Sequence, residues 1–533
     1  MRIVHVLLVS VVVGGAQSSH ADSLARVVAA FQPGQPGQPG TAGGQAKSPP
    51  APPAPADDLM AWAGQPKPTT LPELLLVLVR QSPALQNAKL DIEIAQARVE
   101  QTYARGDWHL QGNIGVSRTQ GGFFGGQAID QSLNGFSDID LFRQIGTGGT
   151  VTLHEESSYN KTSFVDPTVD AMFGSEDWTH TVSLGFSQPL LRGRGHWYYA
   201  AGERQAKLSR DASVLARRLV AINSVQVLIS AYWDLVLAER QVAITQSSLD
   251  LAKERLRITQ IGADGGKIPR SEIPAVQQII ATREEDVLNG ELAVLERSVE
   301  LRRDSGMTIG KGDLGLRVDS ELVPGADAAD LGNLTERAFA ASPELAQLAK
   351  QEAGATIQVE VTENGLLPQL DAAISIGPTG DDTTFTGAWK NLAKLSNSTV
   401  AGTLTFQHNF GSENVRGLAR EQRTARAKIR VTAADVKLQL AQAMARAVAQ
   451  IELAKRRVAL SQRAIDLANE NIKIESDRFN LGKSTNFDVL NRQEELRQAE
   501  LRKAQAIIDW HKAETTVQAL TGDLLPTYGV SVE

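Results

Sequence analysis

The chain has 533 residues, 54 Lys plus Arg against 61 Asp plus Glu, a net charge of −7 and no cysteine. The acidic balance argues against a nucleic-acid binder, which needs a basic face, and the absence of cysteine excludes disulfides, thiolate zinc sites, cysteine nucleophiles and a lipid-modified N-terminal cysteine. Apolar residues make up 42%, no apolar run reaches the roughly 18 residues of a spanning helix, and a helical inner-membrane protein is thereby excluded, while a β-barrel of short, half-apolar strands is not.

The chain opens with an address and a tether. Arg2 supplies a small positive start, Ile3 to Val13 an apolar stretch too short to span, and Ser19-His20-Ala21 small residues before a cut. Residues 1–21 therefore read as a secretory signal; the alternative is an apolar N-terminal strand, with His5 inside the run in its favour. Residues 22–70 read as a Pro/Gly-rich disordered linker. It carries Gln-Pro-Gly repeats from Gln32 to Gly40 and the run Pro49-Pro50-Ala51-Pro52-Pro53, which cannot bury a core.

The body is a duplication. Ser82-Pro83-Ala84-Leu85 returns as Ser342-Pro343-Glu344-Leu345, and Leu110 as Leu370, both at an offset of 260. Ser183-Leu184-Gly185-Phe186 returns as Thr403-Leu404-Thr405-Phe406 at 220, and Gly266-Lys267 as Gly482-Lys483 at 216. The fall in offset places about forty extra residues between the two strands of the first copy. Repeat 1 spans 71–330 and repeat 2 spans 331–525, with 526–533 as a tail. Each copy reads as short helix, long helix, strand, loop, strand, very long helix, turn, long helix.

Period-two alternation marks strands at about 108–118, 178–188, 369–378 and 399–409. Trp108, Leu110, Ile114 and Val116 alternate with polar residues, as do Val182, Leu184 and Phe186, then Leu370, Ile374 and Ile376, then Val400, Leu404 and Phe406. Each run has the length of a tilted transmembrane strand. Val151 and Leu153 hint at a further strand inside the insertion, which reads otherwise as a loop hairpin. Glu203 to about Ile261 contains no proline, and Glu413 to Leu481 only one early glycine, so each predicts a helix of about 90 Å or more. Helices that long must pack on one another as coiled coil or helical barrel. They turn back at tips of about 262–271 and 481–487 into partners at Glu272–Met307 and Phe487–Thr521.

Four strands cannot close a barrel, and an open edge is untenable in lipid. A dimer would supply eight strands and a trimer twelve; eight leave an interior that side chains fill, so a water-filled conduit favours three chains.

Three segments carry a family resemblance. Phe186-Ser187-Gln188-Pro189-Leu190-Leu191-Arg192-Gly193-Arg194-Gly195 resembles the strand-to-helix junction of TolC-like outer-membrane efflux proteins. Arg478-Phe479-Asn480-Leu481-Gly482-Lys483-Ser484-Thr485-Asn486-Phe487-Asp488-Val489-Leu490 resembles that family's periplasmic tip, and Gly365-Leu366-Leu367-Pro368-Gln369-Leu370 its approach to a strand. The resemblance covers about residues 71–525. It implies a trimer with a twelve-stranded outer-membrane barrel, four strands per chain, above a long periplasmic α-helical barrel. It also implies a periplasmic adaptor (membrane fusion protein) and an inner-membrane RND or ABC pump as partners, and export of drugs, metals or polypeptides.

An acid follows the tip glycine by six residues in both copies, Gly266 to Glu272 and Gly482 to Asp488. Helix capping by Ser271 and Asn486, with an acid in the first turn, accounts for the pattern. A ring of six carboxylates at a closed tunnel mouth accounts for it too, and such rings select cations. The resemblance puts the family's gate acids at Glu272 and Asp488. Asn491 stands where some relatives carry another acid, and Ser484 where some carry an arginine. The turns at Gly266, Lys267 and Arg270 and at Gly482, Lys483, Ser484 and Thr485 are solvated loops by default and adaptor-docking tips by resemblance. Trp197, Tyr198 and Tyr199 suit either a membrane-interface aromatic belt or packing at the barrel–tunnel junction. Arg192 and Arg194 either line that junction or, by default, form a solvated pair, and Glu155-Glu156 and Asp381-Asp382 read as surface loops in preference to paired catalytic acids.

No two of the eight histidines stand at i, i+3 or i, i+4, and there is no Gly-x-Ser-x-Gly elbow or Walker loop, so no enzyme, cofactor or metal site is expected. The expected function is a passive outer-membrane duct with a long periplasmic extension, powered by a partner. The alternatives are a non-conducting periplasmic coiled coil, and type I protein secretion in place of small-molecule efflux.

Overall fold

The computed structural model describes residues 67–310, 314–318, 322–325 and 330–531. The signal segment and the linker up to residue 66 lie outside the described residues. Strand β1 (Lys67–Thr69) and helices α1 (Leu71–Gln81) and α2 (Pro83–Tyr103) lead to β2 (His109–Gln120), β3 (Phe123–Phe124), β4 (Gln127–Gln144) and β5 (Thr150–Phe164). Helix α3 (Pro167–Phe173) precedes β6 (Ser175–Pro189), then α4 (His196–Tyr199), α5 (Ala201–Asp264), α6 (Glu272–Ser305) and β7 (Leu316–Val318). The second repeat runs α7 (Leu331–Ala341), α8 (Pro343–Asn364), β8 (Gln369–Asp382), α9 (Phe385–Ala393), β9 (Ser398–Gln407), α10 (Glu413–Asn480), α11 (Asn486–Thr521) and α12 (Leu524–Thr527).

The duplication survives in backbone detail. Proline forces the residue before it out of the helical region, so Ser82 (φ −60°, ψ 120°) and Ser342 (φ −64°, ψ 114°) break the short helix from the long one in the same conformation. Beside the sheet the long helices lie side by side in the order α2, α5, α8, α10; toward the tips the order is α6, α5, α11, α10. The main apolar core sits midway, where Leu74, Leu75 and Leu78 of α1 meet Val225, Leu228 and Leu235 of α5. An 18-residue stretch of α5 averages a hydropathy of 1.5, so by length and composition one helix among the described residues does qualify to cross a membrane, against the sequence expectation. Half of the stretch is buried inside the molecule, and core packing accounts for its apolarity. The expected linker also ends earlier: β1 pairs in parallel with β7, Lys67 opposite Leu316 and Thr69 opposite Val318.

The sheet departs most from expectation. Its order is β2-β4-β5-β6-β8-β9, antiparallel throughout, with β3 pairing β4. The chain thus contributes six long strands where four were expected. The extra two, β4 and β5, are the forty-residue insertion, and they stand between β2 and β6 as full members of the wall. Glu155-Glu156 lie within β5 and Asp381-Asp382 end β8, none of them in loops. One row, Leu110, Leu141, Leu153, Leu184, Ile376 and Val400, crosses all six strands on one face. Higher on that face the inserted hairpin turns polar at Glu155 and Ser157. Ser157 Oγ lies 2.6 Å from His180 Nδ1, and the α9 rings Phe385 and Trp389 cover the imidazole at 4.7 Å each. This local patch interrupts the alternation by which a strand is recognised, so β5 is poorly marked in the sequence.

The β4–β5 turn tucks under the sheet where β6 gives way to α5. Gly195 N donates to Thr147 O at 2.9 Å, and Gln188 Nε2 to the same oxygen at 3.1 Å. Gly148 has φ +88°, and a Cβ there would meet Gly193 O at 2.6 Å, so only glycine fits. Arg192 donates to Gln369 Oε1, and Gly193 N to Asn364 Oδ1 at 2.7 Å. Arg192 therefore lines the junction as a tie between the repeats, the first of its two readings, and is not half of a solvated pair.

Candidate functional site: the helical tips and the polar wall

Both tips close with the same turn. Lys267 N reaches Gly262 O at 2.8 Å and Lys483 N reaches Arg478 O at 2.9 Å, with Gly266 and Gly482 each at φ +71°. This is the Schellman geometry, which needs a left-handed residue and takes glycine. The helices that follow start differently. Ser271 makes no side-chain cap on α6. On α11 the cap is Thr485, not Asn486: Thr485 Oγ1 accepts from Asp488 N at 3.3 Å, and Asp488 Oδ2 accepts from Thr485 N at 3.0 Å. Asp488 Oδ2 also accepts from Thr485 Oγ1 at 2.7 Å and Ser484 Oγ at 3.3 Å. The Thr485 hydroxyl, then its backbone N–H, hold the Asp488 carboxyl below its ordinary range.

Asn486, 2% exposed, donates instead across the repeats to Glu272 Oε2 at 2.6 Å. The two candidate acids thus belong to one connected tip, Glu272 through Asn486 and Asp488 through Thr485. A cavity of about 200 Å³ opens beside them, lined by Glu272, Val276, Ile279, Asn486, Phe487 and Leu490. Asn491 is exposed one turn on. Lys267, Gly482, Lys483 and Thr485 are exposed, and Arg270 lies 3.6 Å from Asp264.

Sequence reasoning missed three features here. Glu475, 7% exposed, accepts from Ser484 Oγ at 2.5 Å and pairs with Arg478 at 3.4 Å, so Ser484 joins the acid network. The Arg255 guanidinium lies 5.1 Å from the Phe479 ring, joining the two long helices near the tip. Arg283, 6% exposed, donates to Ser248 O at 2.5 Å, and burial pulls its pKa down. The signal for Arg283 was present: it shares a heptad-like stripe with Val276, Ile280 and Val287.

At the other end, Tyr199 O accepts from Arg105 at 3.0 Å, and Trp197 meets Tyr198 edge-on at 5.7 Å. All three predicted belt residues sit at the strand-to-helix junction. The apolar face has aromatics of its own: Trp108 under the Arg143 guanidinium at 5.9 Å, and the Tyr159–Trp178 pair at 4.6 Å toward the far end. The opposite face is polar and acidic. It carries Asp138, Asp140, Glu156, Asp177, Asp371 and Asp381 and, among the described strand residues, no Lys or Arg. Asn113 donates to Asp138 at 2.8 Å, and His154 lies 2.8 Å from Asp140.

Residues 334–523 match the outer membrane efflux protein family. The chain carries an outer membrane efflux protein domain. A curated relative, Nodulation protein T of Rhizobium leguminosarum bv. trifolii, is 20% identical over 340 residues, covering 61% of this chain and 68% of that protein. Among solved structures, the outer-membrane channel OprN superposes with a TM-score of 0.63 at 14% identity, covering 85% of this chain and 90% of that one. The CmeC outer membrane channel of Campylobacter jejuni gives 0.62 at 13% identity, covering 85% and 86%. The efflux domain and the channel fold are those of the TolC-like resemblance: an outer-membrane protein with a periplasmic helical extension.

Proposed function

We propose that three copies of this chain form a passive outer-membrane duct. Docked on a periplasmic adaptor and an RND or ABC pump, it exports small molecules or polypeptides. The observation that carries this reading is the sheet: one apolar row crosses all six strands, the opposite face is polar, and the edges β2 and β9 have no partner among the described residues. A soluble protein would bury that apolar face; here Leu110 is 73% exposed and Val400 66%. Strands matched in this way also disfavour a non-conducting coiled coil. Six strands per chain would make twelve in a dimer and eighteen in a trimer, so the number three now rests on the family resemblance and not on strand counting. Glu272 and Asp488 form the carboxylate ring of the closed mouth, with Asn491 beside them. Docking moves the tips apart by favouring the open state through differential contacts at Gly266, Lys267, Arg270, Gly482, Lys483, Ser484 and Thr485. Trp197, Tyr198 and Tyr199 sit at the inner membrane–water boundary. The test is the mass of the complex extracted by detergent from an outer-membrane fraction. A trimer that needs detergent supports the duct; a detergent-free monomer from the periplasm overturns it.

A further inference from the structure

We infer that the inserted hairpin is built into the membrane wall, so that the duct opens through an eighteen-stranded barrel, wider than four strands per chain would make. The inference rests on the trimer proposed above and on the place of the inserted hairpin.

The strands fed by helices are β2 from α2, β6 into α5, β8 from α8 and β9 into α10, in the same order as the helices beside them. The hairpin β4–β5 has no helix of its own. It ends in the turn docked against Gly193 and Gly195 and adds two strands between β2 and β6. It is not an appendage on the wall: β4 pairs with β2 over twelve positions and β5 with β6 over thirteen. Pulling it out would strip backbone partners from four strands in lipid. Two added strands also keep the up–down alternation, so β9 of one chain still meets β2 of the next antiparallel.

Width follows from spacing. At about 4.8 Å between strands and a tilt of about 40°, six strands span about 38 Å of wall and four about 25 Å. Four helices at about 9.5 Å span about 38 Å. The hairpin therefore brings the span of each chain's strands level with that of its four helices. Closed by three chains, the backbone diameter is about 36 Å against about 24 Å for twelve strands. Side chains take about 5 Å from each wall, leaving about 26 Å against about 14 Å.

The chain has no cysteine, which makes engineered disulfides clean probes. Ser117→Cys with Asn134→Cys tests the β2–β4 neighbourhood, and Ser158→Cys with Thr179→Cys the β5–β6 neighbourhood; both pairs face each other on the polar side. Oxidised in outer-membrane fractions, both variants should cross-link within one chain while the complex keeps the mass of a trimer. A cross-section of the unmodified complex by electron cryomicroscopy should count eighteen strands. Trimers that count twelve strands, with neither pair cross-linking, overturn the wide mouth and leave the duct reading intact. A dimer counting twelve overturns the inference and the trimer but keeps a duct. A soluble monomer overturns both readings.

Discussion

Asp488 and Glu272 occupy equivalent places after their glycines yet are tied down differently. Asp488 is held by its own helix start, through Thr485. Glu272 is held by the other repeat, through Asn486. Capping and gating are therefore separable. Thr485→Ala should cost about 1 kcal/mol at the start of α11, read as faster amide exchange over residues 486–489, with resting conductance nearly unchanged. Asp488 has a depressed pKa, so its contribution is present above its unfolded value and is lost as pH falls through the lower folded value. Exchange protection of that turn should thus hold from neutral through mildly acid pH and fall only in strong acid. Glu272→Gln combined with Asp488→Asn should raise the leak of the resting channel or weaken its cation preference in planar bilayers; unchanged conductance and reversal potential would sink the gate.

At the scale of elements, the apolar row and the acidic wall make opposite demands on the same strands. Leu184 lies in the row that crosses all six strands, so Leu184→Lys should impede insertion at about 2–4 kcal/mol per chain near the midplane. Normal recovery in the outer-membrane fraction would say that the faces are reversed. Asp138 and Asp140 face the other way, on β4. Asp138→Asn with Asp140→Asn should lower cation over anion permeability while leaving insertion intact, read from reversal potentials in a salt gradient. The helices, the turns and four of the strands were legible because period two, Ser-Pro breaks and tip glycines are local signals. β5 was only hinted at by Val151 and Leu153, because Glu155 and Ser157 occupy the apolar side where His180 and the α9 rings meet them, and β4 was not read as a strand. Three-dimensional neighbours rewrote the pattern there. The α11 cap was misplaced by one residue for a similar reason: Asn486 is a good cap by type, but Glu272 claims its amide.

For the whole molecule, the first described element is β1, which begins at Lys67 and joins β7. Deleting residues 31–66 should leave the detergent-extracted complex with the mass of wild type, whereas extending the deletion through Thr69 removes the β1 strand and should lower its thermal stability. Loss of assembly in the shorter deletion would make the spacer structural.

The sequence by itself determined the duplication, the helices of about 100 Å, the strand-and-helix class, the alternation that points to a membrane barrel and the positions of the tip acids. These are carried by local periodicity and by residues whose backbone preferences act within a few positions. Tertiary structure decided the strand number, the pairing of the inserted hairpin, the Glu272–Asn486 tie between repeats and the burial of Glu475 and Arg283. Each depends on which segment lies opposite, and a polar residue opposite the right partner costs little, so nothing in its own neighbourhood along the chain announces it.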